Sequence, residues 1–326
     1  MKALVCSSLT DDFAGIRLED VDLPRPGYGE VRIRVRATSL NYPDMLLCQG
    51  KYQLKLEPPF TPGMDIAGEI DAIGDGVEGF VVGEAVAGGM RFGGLAEYAV
   101  VSTEGLQKKP SHLSFAEAAA YQVAYLTAYV ALVRRGNLQE GETLLVHGAS
   151  GGVGMAAVDV GKLLGATVIA TGGSDAKLER VFTYGADHVI NTEGGFRDQV
   201  RALTDGRGAD VIYDPVGGDI FDESTRCINF DGRLLIIGFA SDRIASVPTN
   251  IPLIKGFSVM GVRAGEYGRQ FPQKGAENLQ TIWDWVREGQ TRPHVHGELP
   301  LSKSVDGFRM LQRREVIGKL VICPDR

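Results

Sequence analysis

The chain has only four cysteines, Cys6, Cys48, Cys227 and Cys323, and no two of them stand in Cys-x-x-Cys spacing. This excludes a disulfide framework and a thiolate zinc lobe, and isolated thiols fit a reducing compartment. Apolar runs are short as well, and none nears the ~20 residues that a membrane-spanning helix needs. The opening Met-Lys-Ala-Leu-Val-Cys passes at once into polar Ser-Ser-Leu-Thr-Asp-Asp, without the apolar core of a secretory signal. A cytoplasmic location is therefore expected. Positive charge is sparse: 34 Lys and Arg face 41 Asp and Glu, a net charge of −7, and no basic block forms a stripe. Nucleic acid and anionic membranes are excluded as main partners on that ground. Of five histidines, only His294-x-His296 would set two imidazoles on one strand face, where a solvated strand is the simpler reading.

What is present is enough chain for two domains, since 326 residues exceed the usual span of one hydrophobic core. The first third is punctuated by glycine and proline and carries short strand patterns. Residues 31–37 alternate Val, Arg, Ile, Arg, Val, Arg, Ala, which puts apolar and charged side chains on opposite faces. Further strands are expected at 2–6, 65–73 and 96–100. From about residue 122 apolar strands alternate with helical stretches, the rhythm of βαβ units on a parallel sheet. Those strands are expected at 143–147, 167–171, 188–190, 211–213 and 233–237, with an edge strand from Phe257 to Val262. A helix near 279–287 and a last strand at 319–323 complete the pattern.

The strand Leu144-Leu145-Val146-His147 runs into Gly148-Ala149-Ser150-Gly151-Gly152-Val153-Gly154 and then into a helical run. Read as Ala149-x-Gly151-x-x-Gly154, this is the dinucleotide fingerprint with alanine in the first glycine position. Gly151 lets backbone approach a pyrophosphate, Gly154 lets the helix lie against the strand, and the helix N-terminus offers N–H groups to negative charge. A site for NAD places Asp or Glu at the end of the second strand. Here Thr171-Gly172-Gly173-Ser174-Asp175-Ala176-Lys177 offers Ser174 and Lys177 as donors to a 2′-phosphate instead, so NADPH is expected. Asp175 is the opposing feature, and a capping or helix-dipole role accounts for it.

With these residues in place the chain resembles the zinc-independent quinone oxidoreductases of the medium-chain dehydrogenase/reductase superfamily. The motifs that carry the resemblance are Asn41-Tyr42-Pro43-Asp44, the run from Pro59 to Gly68, Gly94-Leu95-Ala96-Glu97-Tyr98, Ala149 to Gly154, Asp214-Pro215-Val216-Gly217-Gly218 and Gly318-Lys319. The segment from Gly238 to Gly265 is similar to the quinone oxidoreductase-like branch. The resemblance implies an α/β chain: a GroES-like β-barrel domain made of 1–121 and 263–326, and a doubly wound Rossmann domain at 122–262. It further implies an active site in the cleft between them and a homodimer joined along the edge strand from Phe257 to Val262. Zinc-containing relatives carry cysteine near the first motif and Gly-His-Glu at the second. Asn41 and Met64 stand here instead, and a neutral amide and a thioether do not replace thiolate and imidazole, so no metal is expected.

Without a metal, hydride delivery to the substrate needs a hydrogen-bond donor or acid where negative charge develops. Tyr52, after the Asn-x-x-Asp motif, matches the family tyrosine and is the candidate. By the same resemblance Asn41 lies against the nicotinamide or the substrate carbonyl and Thr127 near the nicotinamide ribose or pyrophosphate. Gly238, Phe239 and Ala240 follow the nicotinamide, and Lys319 stands by its carboxamide. Gly173 and Thr192 complete the cofactor contacts, although Asn191-Thr192 occupies the place where relatives often carry an adenine-stacking tyrosine. The expected activity is NADPH-dependent reduction of a small electrophile, a quinone or an activated C=C bond. An enoyl-CoA reductase is the alternative, with Arg91, Arg263 and Arg269 available to phosphates. A protein that binds NADPH with little turnover is the alternative of another class.

Overall fold

A computed structural model describes residues 1–325 of the chain, which divide into two compact units, 1–123 with 293–325 and 124–292. Strands β1 (Lys2–Cys6) and β2 (Ile16–Asp20) pair with each other. They are followed by β3 (Glu30–Ser39), helix α1 (Tyr42–Cys48), β4 (Asp65–Ile73), β5 (Ala85–Gly89), β6 (Tyr98–Ser102) and β7 (Leu106–Lys108). The alternation in β3 does what it promised: Val31, Ile33 and Val35 are buried, with Ile66, Ile70 and Val86 packed against them. The arginines of β3 face outward, and Arg32 and Arg36 reach Asp71 and Glu69 on β4. The strand expected at 96–100 forms two residues later, because Ala96 is taken by a bridge to Ala3.

Helices α2 (Phe115–Ala119) and α3 (Gln122–Tyr129) lead into the second unit. Its chain order is β8 (Thr143–Val146), α4 (Gly152–Leu163), β9 (Thr167–Gly172), α5 (Asp175–Tyr184), β10 (His188–Asn191), α6 (Arg197–Leu203), β11 (Ala209–Asp214), α7 (Gly218–Ser224), β12 (Ile228–Ile236), α8 (Asn250–Lys255) and β13 (Ser258–Gly261). All pairings in this sheet are parallel, in the order β10-β9-β8-β11-β12-β13. This is the doubly wound dinucleotide-binding order, whose direction reverses between β8 and β11. The expected edge strand is β13, at the end of the sheet.

Helices α9 (Ala264–Gln270) and α10 (Pro272–Arg287) follow, and here the structure differs from the boundary expected at 262/263. Residues 264–292 pack with the second unit. Trp283 is fully buried, Trp285 meets the Tyr129 ring at 5.4 Å, and Arg134 donates to Asn278 at 2.8 Å. The chain then rejoins the first unit as β14 (Val295–Pro300), helix α11 (Ser304–Gln312) and β15 (Lys319–Cys323). β15 pairs with β3, so the first sheet runs β14-β15-β3-β4-β5-β7, with β6 also on β3. No helix is long and apolar enough among the described residues to cross a membrane.

Candidate functional site

In the first unit, strand register gathers residues that are far apart in sequence. Ser39 on β3 stands opposite Asp65 on β4 and Val321 on β15, and Leu40 N–H donates to Leu320 O at 2.9 Å. Asn41, Asp65 and Lys319 consequently meet in the interior, 5%, 0% and 4% exposed. The Asp65 carboxylate is the hub. One oxygen accepts the Val123 N–H at 2.9 Å; the other accepts Ser39 Oγ at 2.8 Å, Asn41 Nδ2 at 2.9 Å and Lys319 Nζ at 3.4 Å. Lys319 Nζ also donates to Asn41 Oδ1 at 2.5 Å. A buried ion pair offsets its desolvation only with added hydrogen bonds of this kind.

This network fixes the Asn41 amide. Lysine only donates and a carboxylate only accepts, so the oxygen must face Lys319 and the nitrogen Asp65. The second N–H of Nδ2 goes to Ser39 O at 3.2 Å. Both N–H groups of Asn41 are thus committed inside the protein, and neither is left for a substrate oxygen.

Asp44, the third residue of α1, reaches back to the Asn41 N–H at 2.9 Å and also accepts the Gly63 N–H at 3.1 Å. Gly63 sits at φ 110°, where a Cβ would fall 2.5 Å from Leu95 N. Burial pushes the Asp44 carboxyl up to about 7, against the pull of those N–H groups. In the second unit His147, at the end of the first strand, is also fully buried. It bonds Thr171 Oγ1 at 2.7 Å and Ser224 Oγ at 2.8 Å, and burial lowers its pKa to about 3.

The two shifts act on stability with opposite sign. Between about pH 3 and 6.5 the unfolded chain holds a proton on His147 that the folded chain refuses, so stability rises with pH. Between about pH 4 and 7 folded Asp44 holds a proton that the unfolded chain has lost, so stability falls with pH. Each contributes roughly 1.4 kcal/mol per pH unit, and they cancel near pH 4–6.5. Denaturant titrations across that window should show His147→Gln losing stability as pH rises and Asp44→Asn gaining it. Parallel pH profiles for the two variants would refute the assignment.

In the second unit the fingerprint residues form a tight turn between β8 and α4. Gly148 leaves β8 at φ 55°, Ala149 N–H donates to Thr171 O at 3.0 Å, and Gly151 caps the twelve-residue α4. Ala149 is fully buried while Ser150, Gly151, Gly152 and Val153 are half-buried. A Cβ on Gly154 would lie 2.4 Å from Gly148 O, so this glycine is what lets α4 approach the strand. At the end of β9, Gly173 is exposed and Ser174 is the N-cap of α5 without making a side-chain capping bond. Lys177 lies in the same turn, half-buried. Asp175 accepts Asn191 Nδ2 at 2.7 Å, and Thr192 Oγ1 reaches Gly172 O at 3.4 Å.

The loops after β11 and β12 are tied together: Asp214 accepts the Val216 and Gly217 N–H groups, and Ala240 N–H donates to Pro215 O. Gly238 and the 40% exposed Phe239 lie on this loop pair, and Thr127 is half-buried on α3. The turn after β8 and the loop after β11 extend from the carboxyl ends of the two strands flanking the reversal point, where doubly wound sheets bind ligands. The residues therefore fit a dinucleotide. Tyr52, in the loop after α1, is half-buried and packs against the apolar cluster of Leu4, Phe13, Met45 and Phe308. No group of three or more His, Cys, Asp or Glu that could hold a metal occurs among the described residues. His296 accepts the Ile317 N–H at 3.3 Å.

Two family models match the chain, one described as alcohol dehydrogenase GroES-like domain over residues 27–111 and one as zinc-binding dehydrogenase over 152–282. The quinone oxidoreductase-like protein 2 of Bos taurus is 36% identical over 324 residues, 98% of this chain and 92% of that protein. The chain belongs to the quinone oxidoreductase branch of the medium-chain dehydrogenase/reductases. It is an oxidoreductase. Among solved structures, a quinone oxidoreductase from Thermus thermophilus, described with its NADPH complex, has a TM-score of 0.88 at 32% identity, covering 99% of this chain and 100% of that one. An NAD-dependent alcohol dehydrogenase has the same score and identity, covering 99% of each chain. Membership in these dehydrogenase/reductases makes the doubly wound unit an NAD(P)-binding one. What sequence reasoning missed is the hub: Asp65 was visible only as part of a lost metal motif, and neither Ser39 nor Val123 carried any signal.

Proposed function

We propose that the chain is an NADPH-dependent, zinc-independent reductase that delivers hydride to a quinone or to an activated C=C bond. The observation that carries the cofactor choice is the first turn of α5. Ser174 keeps its hydroxyl out of capping, Lys177 stands in the same turn, and Asp175, the carboxylate that would repel a 2′-phosphate, is engaged by Asn191. NADPH supplies the hydride when bound. The chain's own part is to hold the dinucleotide at the α4 N-terminus and to offer a donor where negative charge forms. With both Asn41 N–H groups spent, Tyr52 is the donor in this reading. Of the three arginines a CoA thioester would use, Arg263 and Arg269 are engaged by Glu266 at 3.8 and 2.9 Å and Arg91 is exposed, so the choice of a quinone or enone rests on the family rather than on these side chains.

Steady-state oxidation of NADPH and NADH against a panel of quinones, enones and enoyl thioesters tests this. NADPH should be preferred, and Ser174→Ala/Lys177→Ala should lower that preference at least tenfold, mainly through KM for NADPH. Tyr52→Phe should bind NADPH normally and turn over slowly. A chain that oxidises neither cofactor with any acceptor, or prefers NADH, sinks the proposal.

A further inference from the structure

The sequence has no basic stripe, yet the fold makes one basic patch from separated segments. Arg197 and Arg201 on α6, Arg226 after α7 and Lys255 at the end of α8 line a surface cavity of about 530 Å³, with Asp198 as its only acidic lining residue. Four cations face one carboxylate in this cavity, while Asp219, Asp222 and Glu223 line the adjoining one, where Arg243 pairs with Asp219 and Asp222. Arg197 is paired with Asp198 at 2.8 Å, and Lys255 donates to Thr225 O at 2.7 Å. The guanidinium groups of Arg201 and Arg226 have no ion pair or hydrogen bond among the described residues. Two neighbouring guanidinium groups without a paired carboxylate repel each other, and a bound anion would offset that repulsion.

The position separates this cavity from the dinucleotide site. α6 and α7 run back along the sheet from the carboxyl ends of β10 and β11, and Arg226 and Cys227 stand just before β12 begins. The patch therefore extends toward the amino ends of the strands, whereas the fingerprint occupies the carboxyl ends.

We propose that this cavity is a second anion site that takes a small phosphate-bearing molecule. Two unengaged guanidinium forks match phosphate oxygens in pairs, which compact anions without that geometry do not. A volume near 530 Å³ suits a di- or polyphosphate group with little attached to it.

Calorimetric titration of the full chain with inorganic pyrophosphate, in saturating NADPH so that the α4 site is filled, tests the assignment. One equivalent should bind, with affinity falling as salt rises. Arg201→Gln/Arg226→Gln should weaken it at least tenfold, and Lys255→Gln, on a different element, should weaken it as well. All three positions are exposed, so both variants should melt with the wild type. Absence of pyrophosphate binding, unchanged affinity in the double variant, or equal affinity for citrate would overturn it.

Discussion

Asp65→Ala should be among the most damaging single substitutions in the first unit. It removes one partner of a buried ion pair and leaves the Lys319 ammonium, 4% exposed, with the neutral Asn41 amide as its remaining hydrogen-bond partner among the described residues. Breaking such a pair costs about 3–5 kcal/mol. Ser39 Oγ and the Val123 N–H lose their acceptor at the same time, at about 1–3 kcal/mol each if no water replaces it. Asp65→Ala/Lys319→Met is expected to be less destabilised than the two single losses added together, because the stranded charge is gone. Denaturant midpoints for the four proteins close the cycle. A single-variant loss below ~1 kcal/mol would show that water, not Asp65, solvates the ammonium.

The same residues show how far the sequence could be read. Strands whose faces differ in polarity, or that are bounded by glycine, were legible: β1, β4 and β15 fall at the expected residues. β5, with sequence AVAGG, and β2, with IRLED, were not, since glycine and charge mask a strand that is defined by its partner. The sequence pattern assigns α9 and α10 to the first unit, whereas they pack with the second, because the edge strand β13 reads as an end and nothing local says which core Trp283 enters. The fingerprint was legible because its geometry is local: strand, turn and helix follow one another within the run from Leu144 to Gly154. The Asp65 hub was not, because Lys319 and Asn41 are 278 residues apart and only the β15–β3 pairing joins them. Asn41 itself was found, yet its commitment to Lys319 and Asp65 belongs to tertiary structure. The basic patch on α6, α7 and α8 was illegible for the same reason.

Gly154 and Gly151 should separate two uses of glycine in one turn. A Cβ at 154 would lie 2.4 Å from Gly148 O, 2.7 Å from Ala149 Cα and 3.0 Å from Ala149 C, all backbone atoms that cannot rotate aside. Gly154→Val must therefore push α4 off the strand. This should cost about 1–3 kcal/mol of stability, as overpacking does. Because the helix N-terminus moves with it, NADPH affinity should fall by about a hundredfold, ~2.7 kcal/mol. A Cβ at 151 meets only Gly148 O, at 3.4 Å, an ordinary contact. Gly151→Ala should leave the melting temperature almost unchanged and, on the proposed function, still weaken NADPH, because the added methyl would stand where that reading puts the pyrophosphate. Fluorescence titration with NADPH beside thermal melts reads both effects. If Gly151→Ala binds as the wild type does, the pyrophosphate does not lie on this turn; if Gly154→Val keeps both stability and affinity, the close packing of α4 on the strand is not what holds the site.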